Sequence, residues 1–204
     1  MRSIRIVLLI ILWFNFFGHA FAQANIPTSN EVSKLTKQAA RLRASGNFEK
    51  SLMMSRMALR NSIAIHDNVL IAENYNNVAA NYNDLVEFDK AIFYYNKALV
   101  YANLTQNDTV KQRINNNLGN MYCFEKKKYD KGIAYYKRAI EYSKKINDSS
   151  QMAFTNVNVA WALFDIKKFK EGEVALNMIN SYYKKHNNNS TVVVLNMLNG
   201  MYCD

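Results

Sequence analysis

The sequence is poor in the residues that interrupt helices and in those that build catalytic and metal sites. Its 204 residues include one proline, two cysteines, three histidines and six glycines. The glycines are scattered, so there is no glycine-rich phosphate loop. His19, His66 and His186 are too few and too far apart to supply a metal site or a Ser-His-Asp arrangement. No carboxylates are paired in an apolar setting either. The sequence therefore predicts a protein that is not an enzyme and has no metal or cofactor.

Positive charge is plentiful, but it is spread out. The net charge is +10, and two of these charges belong to Arg2 and Arg5 near the N-terminus. Lysines such as Lys137, Lys144 and Lys167 lie at outward-looking positions. Nucleic-acid binding would need a clustered basic face with interleaved aromatic residues and a recognisable module. A solvated surface is the better interpretation, and we expect no nucleic-acid partner.

The first 22 residues have the composition of an export signal. Arg2 and Arg5 precede an apolar run at 6–17, and the small-x-small sequence Ala-Phe-Ala ends at Ala22. An uncleaved membrane anchor is the alternative. Asn15 and the residues after 17 interrupt the run before it reaches the roughly 20 apolar residues that a span prefers. We therefore expect cleavage after Ala22 and a mature protein in the periplasm or outside the cell, without a membrane contact. Residues 23–30 are predicted to be a short linker.

The rest of the chain repeats one pattern with a period of about 40 residues. A small residue after Phe/Tyr-x-x recurs at Ser51, Ala91, Gly132 and Gly172, with separations of 40, 41 and 40. A constant period of this length is typical of a repeat array. Residues suited to cap a new helix, alone or with a polar neighbour, keep the same spacing. They are Asp67, Asp108, Asp148 and Asn188.

The clearest copy of the pattern, at 115–140, predicts one helical hairpin. Three residues form the apolar stripe of its first helix: Leu118, Gly119 and Tyr122. Three others form the facing stripe of its second helix: Gly132, Tyr136 and Ala139. Small residues at facing positions let two helix backbones approach, and the aromatic rings fill the remaining space.

These stripes resemble the tetratricopeptide repeat, which has Leu-Gly-x-x-Tyr in its first helix and small-x-x-x-aromatic-x-x-Ala in its second. The resemblance covers residues 31–204. The period exceeds the usual length of about 34, and no proline follows the second helices. Both features are typical of the long-repeat variety found in kinesin light chains, Leu-Gly-Asn repeat adaptors and exported regions of bacterial sensor histidine kinases.

The resemblance implies an all-α, right-handed superhelix of four hairpins and one extra C-terminal helix. The units are expected at 31–66, 67–106, 107–146 and 147–186, with a partial unit at 187–204. The first helices of such an array line a concave groove that binds an extended peptide or a partner helix. The groove residues expected here are Glu73, Asn76, Asn83, Arg113, Asn116, Asn120, Phe154, Trp161 and Phe164. One end of the groove is thus polar, and the other is aromatic.

Asparagines before the Leu/Val-Ala/Gly pair hold the bound peptide in kinesin light chains and Leu-Gly-Asn adaptors. The matching residues here are Asn77, Asn117 and Asn158. An asparagine side chain both donates and accepts, so a row of them can pair with a peptide main chain of any sequence. The predicted function is a non-catalytic, exported protein-binding scaffold. The alternative is the sensory ectodomain of a bacterial sensor histidine kinase or a related signalling protein.

The C-terminal part of the sequence looks unfinished as a repeat. A first helix predicted at 187–204 has no second helix to cover its apolar strip, which is formed by Val194, Leu195, Leu198 and Tyr202. Either the chain is the front of a longer protein, or a partner or a second copy covers the strip and gives a dimer. Cys123 and Cys203 hold equivalent places two units apart. That separation is on the order of 20 Å, too far for a disulfide.

Overall fold

The protein is all-α throughout the part of the chain that the structure describes, residues 26–186. The computed structural model contains eight α-helices there, in four antiparallel pairs, which confirms the predicted fold class. The first helices of the pairs are α1 (Ser29–Ala44), α3 (Asn68–Asp84), α5 (Asp108–Asn120) and α7 (Ser149–Asp165). The second helices are α2 (Phe48–Ala64), α4 (Phe88–Asn103), α6 (Tyr129–Lys145) and α8 (Phe169–His186). None of these helices is both long enough and apolar enough to span a membrane.

Two features expected from the sequence lie outside the described residues. They are the export signal at 1–22 and the partial fifth unit at 187–204, which includes Cys203 and the apolar strip. Both remain predictions.

A capping side chain precedes each first helix. The caps are Thr28, Asp67, Asn107 and Asp148, and each accepts a hydrogen bond from a backbone amide in the first turn. Asp67 Oδ1, for example, accepts from two amides at 3.0 Å. In the third unit the cap is Asn107, whereas Asp108 is the first residue of α5. Because these caps satisfy otherwise unpaired amide groups, they determine where each unit begins.

The turns that join the helices share one geometry. A residue in the left-handed conformation follows six of the helices, and five of these six residues are not glycine. The next residue then donates its amide to a carbonyl in the last helical turn, as Glu87 N does to Tyr82 O at 2.8 Å. The five residues are His66, Val86, Lys127, Asn147 and Lys167. The same kind of short turn therefore joins the two helices of each hairpin.

The first helices form the inner side of the array. Helix α3 contacts both α1 and α5 directly, whereas second helices are separated from one another by the first helix that lies between them. Within a hairpin, small residues bring the two helices together. Ser51 Oγ of α2 donates to Ala39 O of α1 at 2.8 Å, for example. On each first helix, the side chains that point away from the second helices therefore lie on a shared concave surface.

The third hairpin has one residue more than the others between the small residues of its two helices. Thirteen positions separate Gly119 from Gly132, and twelve separate the equivalent Ala79 and Ala91. The structure accommodates the extra residue in a π-helical turn, Met121–Glu125, at the end of α5. One inserted residue widens a helical turn in this way without ending the helix. The turn directs Cys123 toward the backbone of α6, where a Cβ atom on Gly132 would lie 2.2 Å from Cys123 Sγ.

Candidate functional site

Hydrogen bonds between side chains join the first helices across the inner surface. Asn117 Nδ2 on α5 donates to Asn76 Oδ1 on α3 at 2.9 Å. Asn116 Oδ1 on α5 accepts from two groups on α7, Thr155 Oγ1 at 3.2 Å and Asn158 Nδ2 at 3.3 Å. These bonds connect side chains of successive units and help to hold α3, α5 and α7 in register.

Asn76 and Asn116 therefore differ from their expected role as groove residues that serve binding more than folding. Their side chains are only 4% and 7% exposed, and their carbonyl oxygens already accept hydrogen bonds from the next unit. The physical reason is the short distance between neighbouring first helices, at which side chains on this stripe meet each other before they meet solvent. Leaving such buried donors and acceptors unpaired costs about 1–3 kcal/mol each. The two residues hold units together.

The second member of each asparagine pair is placed differently. Asn77, Asn117 and Asn158 are half-buried, one on each of α3, α5 and α7. Asn77 makes no side-chain hydrogen bond within the described residues. Asn117 and Asn158 use their amide groups in the bonds to the first row, and there is no described donor to their carbonyl oxygens. This row can therefore still bond to a ligand.

Charged pairs flank the asparagine row. Arg43 on α1 donates to both carboxylate oxygens of Asp84 on α3, at 2.5 and 3.1 Å, and the carboxylate raises the pKa of the guanidinium. Arg113 on α5 lies 3.9 Å from Glu73 on α3, with almost half of the Arg113 side chain exposed. Both pairs span two units, so the polar end of the inner surface combines exposed charge with amide groups.

The other expected polar positions have mixed surroundings. Asn120 accepts a hydrogen bond from Tyr136 OH within its own hairpin at 2.6 Å. Asn83 is half-buried and makes no side-chain hydrogen bond in the described part of the chain. The Asn83 side chain is thus available to a ligand, whereas the side-chain oxygen of Asn120 already accepts a hydrogen bond.

Helix α7 supplies the apolar end of the surface. Phe154 is 51% exposed, and Trp161, two turns further along the same stripe, is half-buried against the core of the last two units. Phe164 was expected to share this stripe, but it is only 7% exposed. Its ring packs over Gly172 of α8, where a Cβ atom would lie 2.6 Å from it. Because Gly172 has no side chain, the Phe164 ring has room to pack in the core.

A polar cavity of about 370 Å³ lies between α1, α2 and α3. Asn77 and Asn81 line it, together with the Arg43–Asp84 pair. Asn81 is 1% exposed, and its Nδ2 donates to Ser55 Oγ at 3.2 Å and to the backbone of Asn77 at 2.8 Å. Its Oδ1 has no partner among the described residues, but this oxygen is itself shielded from solvent. The cavity therefore offers a ligand the Asn77 side chain and the Arg43–Asp84 pair rather than Asn81 Oδ1. Sequence reasoning missed Asn81, although it lies one turn after Asn77.

The described part of the chain offers little for catalysis. In residues 26–186 no three His, Cys, Asp or Glu side chains come together as metal ligands would. Cys123 is fully buried, and burial raises the pKa of its thiol to about 12. A thiol in this state stays protonated and is a poor nucleophile at neutral pH.

Comparison with known proteins identifies the repeat. The tetratricopeptide repeat family matches residues 112–146, which include most of α5 and all of α6. No curated protein matches the sequence significantly. Residues 112–146 are thus a tetratricopeptide repeat, and the described chain has the fold of a tetratricopeptide repeat protein.

Solved structures share this fold at low sequence identity. BtubC (BKLC) from P. vanneervenii is 16% identical, with a TM-score of 0.65 over 85% of this chain and 80% of that one. Aspartyl phosphate phosphatase F from Bacillus subtilis is 17% identical, with a TM-score of 0.73 over 89% of this chain and 46% of that one. A Rap protein complexed with Competence and Sporulation Factor is 18% identical, with a TM-score of 0.63 over 89% of this chain and 51% of that one. This chain therefore spans about half the length of the last two.

Proposed function

We propose that the protein is a non-catalytic scaffold, exported from the cytoplasm, that binds an extended segment of a partner protein along its first helices. The row formed by Asn77, Asn117 and Asn158 is the observation that carries the proposal. These three residues lie on successive first helices, and their unpaired polar atoms remain open to the inner surface. The Rap protein of similar fold was solved with Competence and Sporulation Factor bound, which supports a peptide ligand.

The spacing of the row suits an extended chain. Neighbouring packed helices lie about 8–10 Å apart, and an extended peptide rises about 3.3 Å per residue. Each asparagine would therefore meet about every third residue of the ligand. Because amide groups recognise the peptide main chain, this row contributes affinity with little dependence on ligand sequence.

Side-chain selectivity would come from the two ends of the surface. Phe154 and Trp161 at one end favour an apolar residue of the partner, since half-exposed aromatic residues are frequent anchors of interfaces. At the other end the exposed Arg113 favours acidic groups. The proposed ligand is thus a peptide with an apolar residue at one end and polar or acidic residues at the other.

Export gives the first prediction. The basic start, the short apolar run and the Ala-Phe-Ala sequence favour cleavage, so the mature protein should begin at Gln23. Intact-mass measurement of the protein recovered from outside the cytoplasm tests this. Recovery in the membrane fraction with residues 1–22 still attached would contradict it.

Replacement of Trp161 by alanine gives the second prediction. Peptides selected against the purified chain from a random displayed library should bind Trp161→Ala about 30-fold more weakly, because an aromatic anchor contributes about 2 kcal/mol. Asn77→Ala should weaken the same peptides about tenfold, and methylation of single peptide amides should do so wherever the main chain meets the row. Fluorescence anisotropy measures each affinity.

Two variants separate binding from folding in this experiment. Lys170→Ala on α8 changes an exposed residue and should leave binding unchanged. Asn116→Ala should lower the free energy of unfolding by about 1–2 kcal/mol, because it removes the buried acceptor shared by Thr155 Oγ1 and Asn158 Nδ2. Asn77→Ala should leave stability unchanged. If Trp161→Ala lowers the melting temperature while the peptides bind as before, the aromatic end belongs to the core and the groove assignment is wrong.

A further inference from the structure

A second, larger cavity opens on the opposite side of the array. It measures about 950 Å³ and lies between the second helices α6 and α8, with α7 as its floor. Apolar side chains from all three helices line it. They include Ile133 and Ile140 of α6, Val159 and Leu163 of α7, and Val174 and Met178 of α8. Val174 and Met178 are 57% and 56% exposed, so this outer groove leaves large apolar side chains uncovered.

In units one and two, tyrosine rings fill the space that corresponds to the outer groove of units three and four. In unit two, Tyr75 and Tyr82 of α3 stack on Tyr94 of α4 with ring centroids 6.2 and 5.3 Å apart. Tyr75 also stacks on Tyr101 at 5.5 Å. Leu52 and Leu59 of α2 pack against this cluster and close the space from the other side. The second helices of units one and two thus enclose a solid aromatic layer.

Unit four lacks three of these rings. Aligned on the small residues Ala91 and Gly172, the positions of Tyr75, Tyr82 and Tyr94 become Asn156, Leu163 and Ala175. All three of the latter residues line the outer groove. Unit three keeps one of these stacks, Tyr122 on Tyr135 at 5.5 Å, although Asn115 takes the place of Tyr75. The groove therefore arises from substitutions that remove ring volume in one unit, while the backbone pattern continues.

Charge on one wall indicates what the groove accepts. Lys137 and Lys144 lie seven residues apart on α6, which places them on the same side and about 10 Å apart along the helix. Both are exposed, and neither pairs with an acidic side chain within the described residues. In unit one the position of Lys137 is Arg56, which lies over the ring of Tyr82 at 5.6 Å. At the outer groove the cation remains on α6 as Lys137, while α7 has Leu163 in place of the ring.

The remaining charges of the groove are mixed. Asp130 lies at the N-terminal end of α6, Lys168 directly precedes α8, and Glu171 lies in the first turn of α8. These three charged residues lie at one end of the groove. The wall that carries Lys137 and Lys144 is therefore a basic edge beside the apolar floor. From Asp130 to Lys144 this wall is about 21 Å long, enough for four turns of a helix.

We propose that the outer groove binds an amphipathic helix of a partner protein. The apolar stripe of the partner helix would enter the groove, and two acidic residues of that helix, seven positions apart, would lie against Lys137 and Lys144. Helix-in-groove recognition of this kind uses apolar anchors one and two turns apart. This site is separate from the inner surface and does not rest on the peptide-binding function proposed above.

Charge also argues against two other occupants. The chain's own segment at 187–204 contains one acidic residue, Asp204, and so cannot place two carboxylates seven positions apart. A second copy of a chain with a net charge of +10 would bring further positive charge to a basic edge. An acidic partner helix suits both the apolar floor and the basic edge.

The test uses a designed probe and the purified full chain. The probe is a fluorescent 18-residue helix with leucines one and two turns apart and two glutamates seven positions apart. We expect it to bind at micromolar concentrations. The double variant Lys137→Glu/Lys144→Glu should weaken binding at least tenfold, and a probe with lysines in place of the glutamates should recover it. Lys34→Glu, an exposed lysine on α1, is the matched control and should change nothing.

Refilling the groove gives an independent readout. Ala175→Tyr introduces the ring that unit two has at this place and should weaken binding at least tenfold, while Trp161→Ala on the inner side should not. If Ala175→Tyr fails to fold, the exposed lysine variants still decide the question. Three results would overturn the proposal: no binding of the glutamate probe, equal binding of the glutamate and lysine probes, or self-association of the wild type that the double lysine variant abolishes.

Discussion

Gly132→Ala is expected to lower the free energy of unfolding by about 2–3 kcal/mol. In an ordinary helix the same change would be favourable by about 1 kcal/mol, since alanine has the higher helix propensity. The difference comes from the contact between α5 and α6. A Cβ atom on Gly132 would lie 2.2 Å from Cys123 Sγ, 2.9 Å from Cys123 N and 2.9 Å from Gly119 O. Two of these three atoms belong to the backbone, so a side-chain rotation alone cannot relieve the overlap.

Urea denaturation followed by circular dichroism measures this loss. The double variant Cys123→Ala/Gly132→Ala should recover only part of it, because the overlaps with the two backbone atoms remain. Unit two offers the comparison: Ala91 holds the equivalent place, and no π-helical turn precedes it. Ala91→Gly should therefore be destabilising, the opposite of what unit three requires. A Gly132→Ala protein as stable as the wild type would show that the two helices do not approach this closely.

The periodic features of the fold could be predicted from the sequence. Small residues at Ser51, Ala91, Gly132 and Gly172 recur because each hairpin needs close contact between its helices. Capping residues recur because each first helix needs partners for its free amides. Both demands act locally, so each leaves a mark at the same place in every unit. The all-α repeat array follows from them.

Differences between units were harder to predict. The row of Asn76 and Asn116 is one residue away from the row of Asn77, Asn117 and Asn158, yet the first row is buried and the second is half-exposed. Periodicity places both rows near the inner surface, because a step of one residue turns a helix by about 100° and the inner stripe is about that wide. Which of the two asparagine rows becomes buried depends on how closely neighbouring first helices pack.

The π-helical turn and the outer groove are both departures from the repeat. The π-helical turn is visible in the sequence as one extra residue between Gly119 and Gly132, although the count does not show where the residue is absorbed. The outer groove is visible as Asn156 and Ala175 at positions where unit two has tyrosines. Whether lost ring volume becomes a cavity or is refilled by neighbouring side chains depends on packing, which no local pattern records.

Alkaline pH is expected to destabilise the protein strongly, starting near pH 9. Burial raises the pKa of Cys123 to about 12 and also raises the pKa values of Tyr95 and Tyr136 above their ordinary range. The unfolded chain loses the thiol proton near pH 8.5 and the phenol protons near pH 10. Above these values the unfolded state binds fewer protons than the folded state, so stability falls as pH rises. Below about pH 8.5 the contribution is fully present.

The size and the origin of this loss can be measured. Each pH unit between the unfolded and folded pKa values costs about 1.4 kcal/mol per group, so Cys123 alone should contribute a loss on the order of 3 kcal/mol by pH 10.5. Urea denaturation at pH 7.5, 9, 10 and 10.5 gives the slope. Cys123→Ala should flatten it between pH 8.5 and 10, and Tyr95→Phe should reduce only the part above pH 10, because a phenol titrates later than a thiol. A wild-type midpoint that stays constant from pH 8.5 to 10.5 would mean that the thiol reaches solvent, and the tight contact between Cys123 and Gly132 would then be wrong as well.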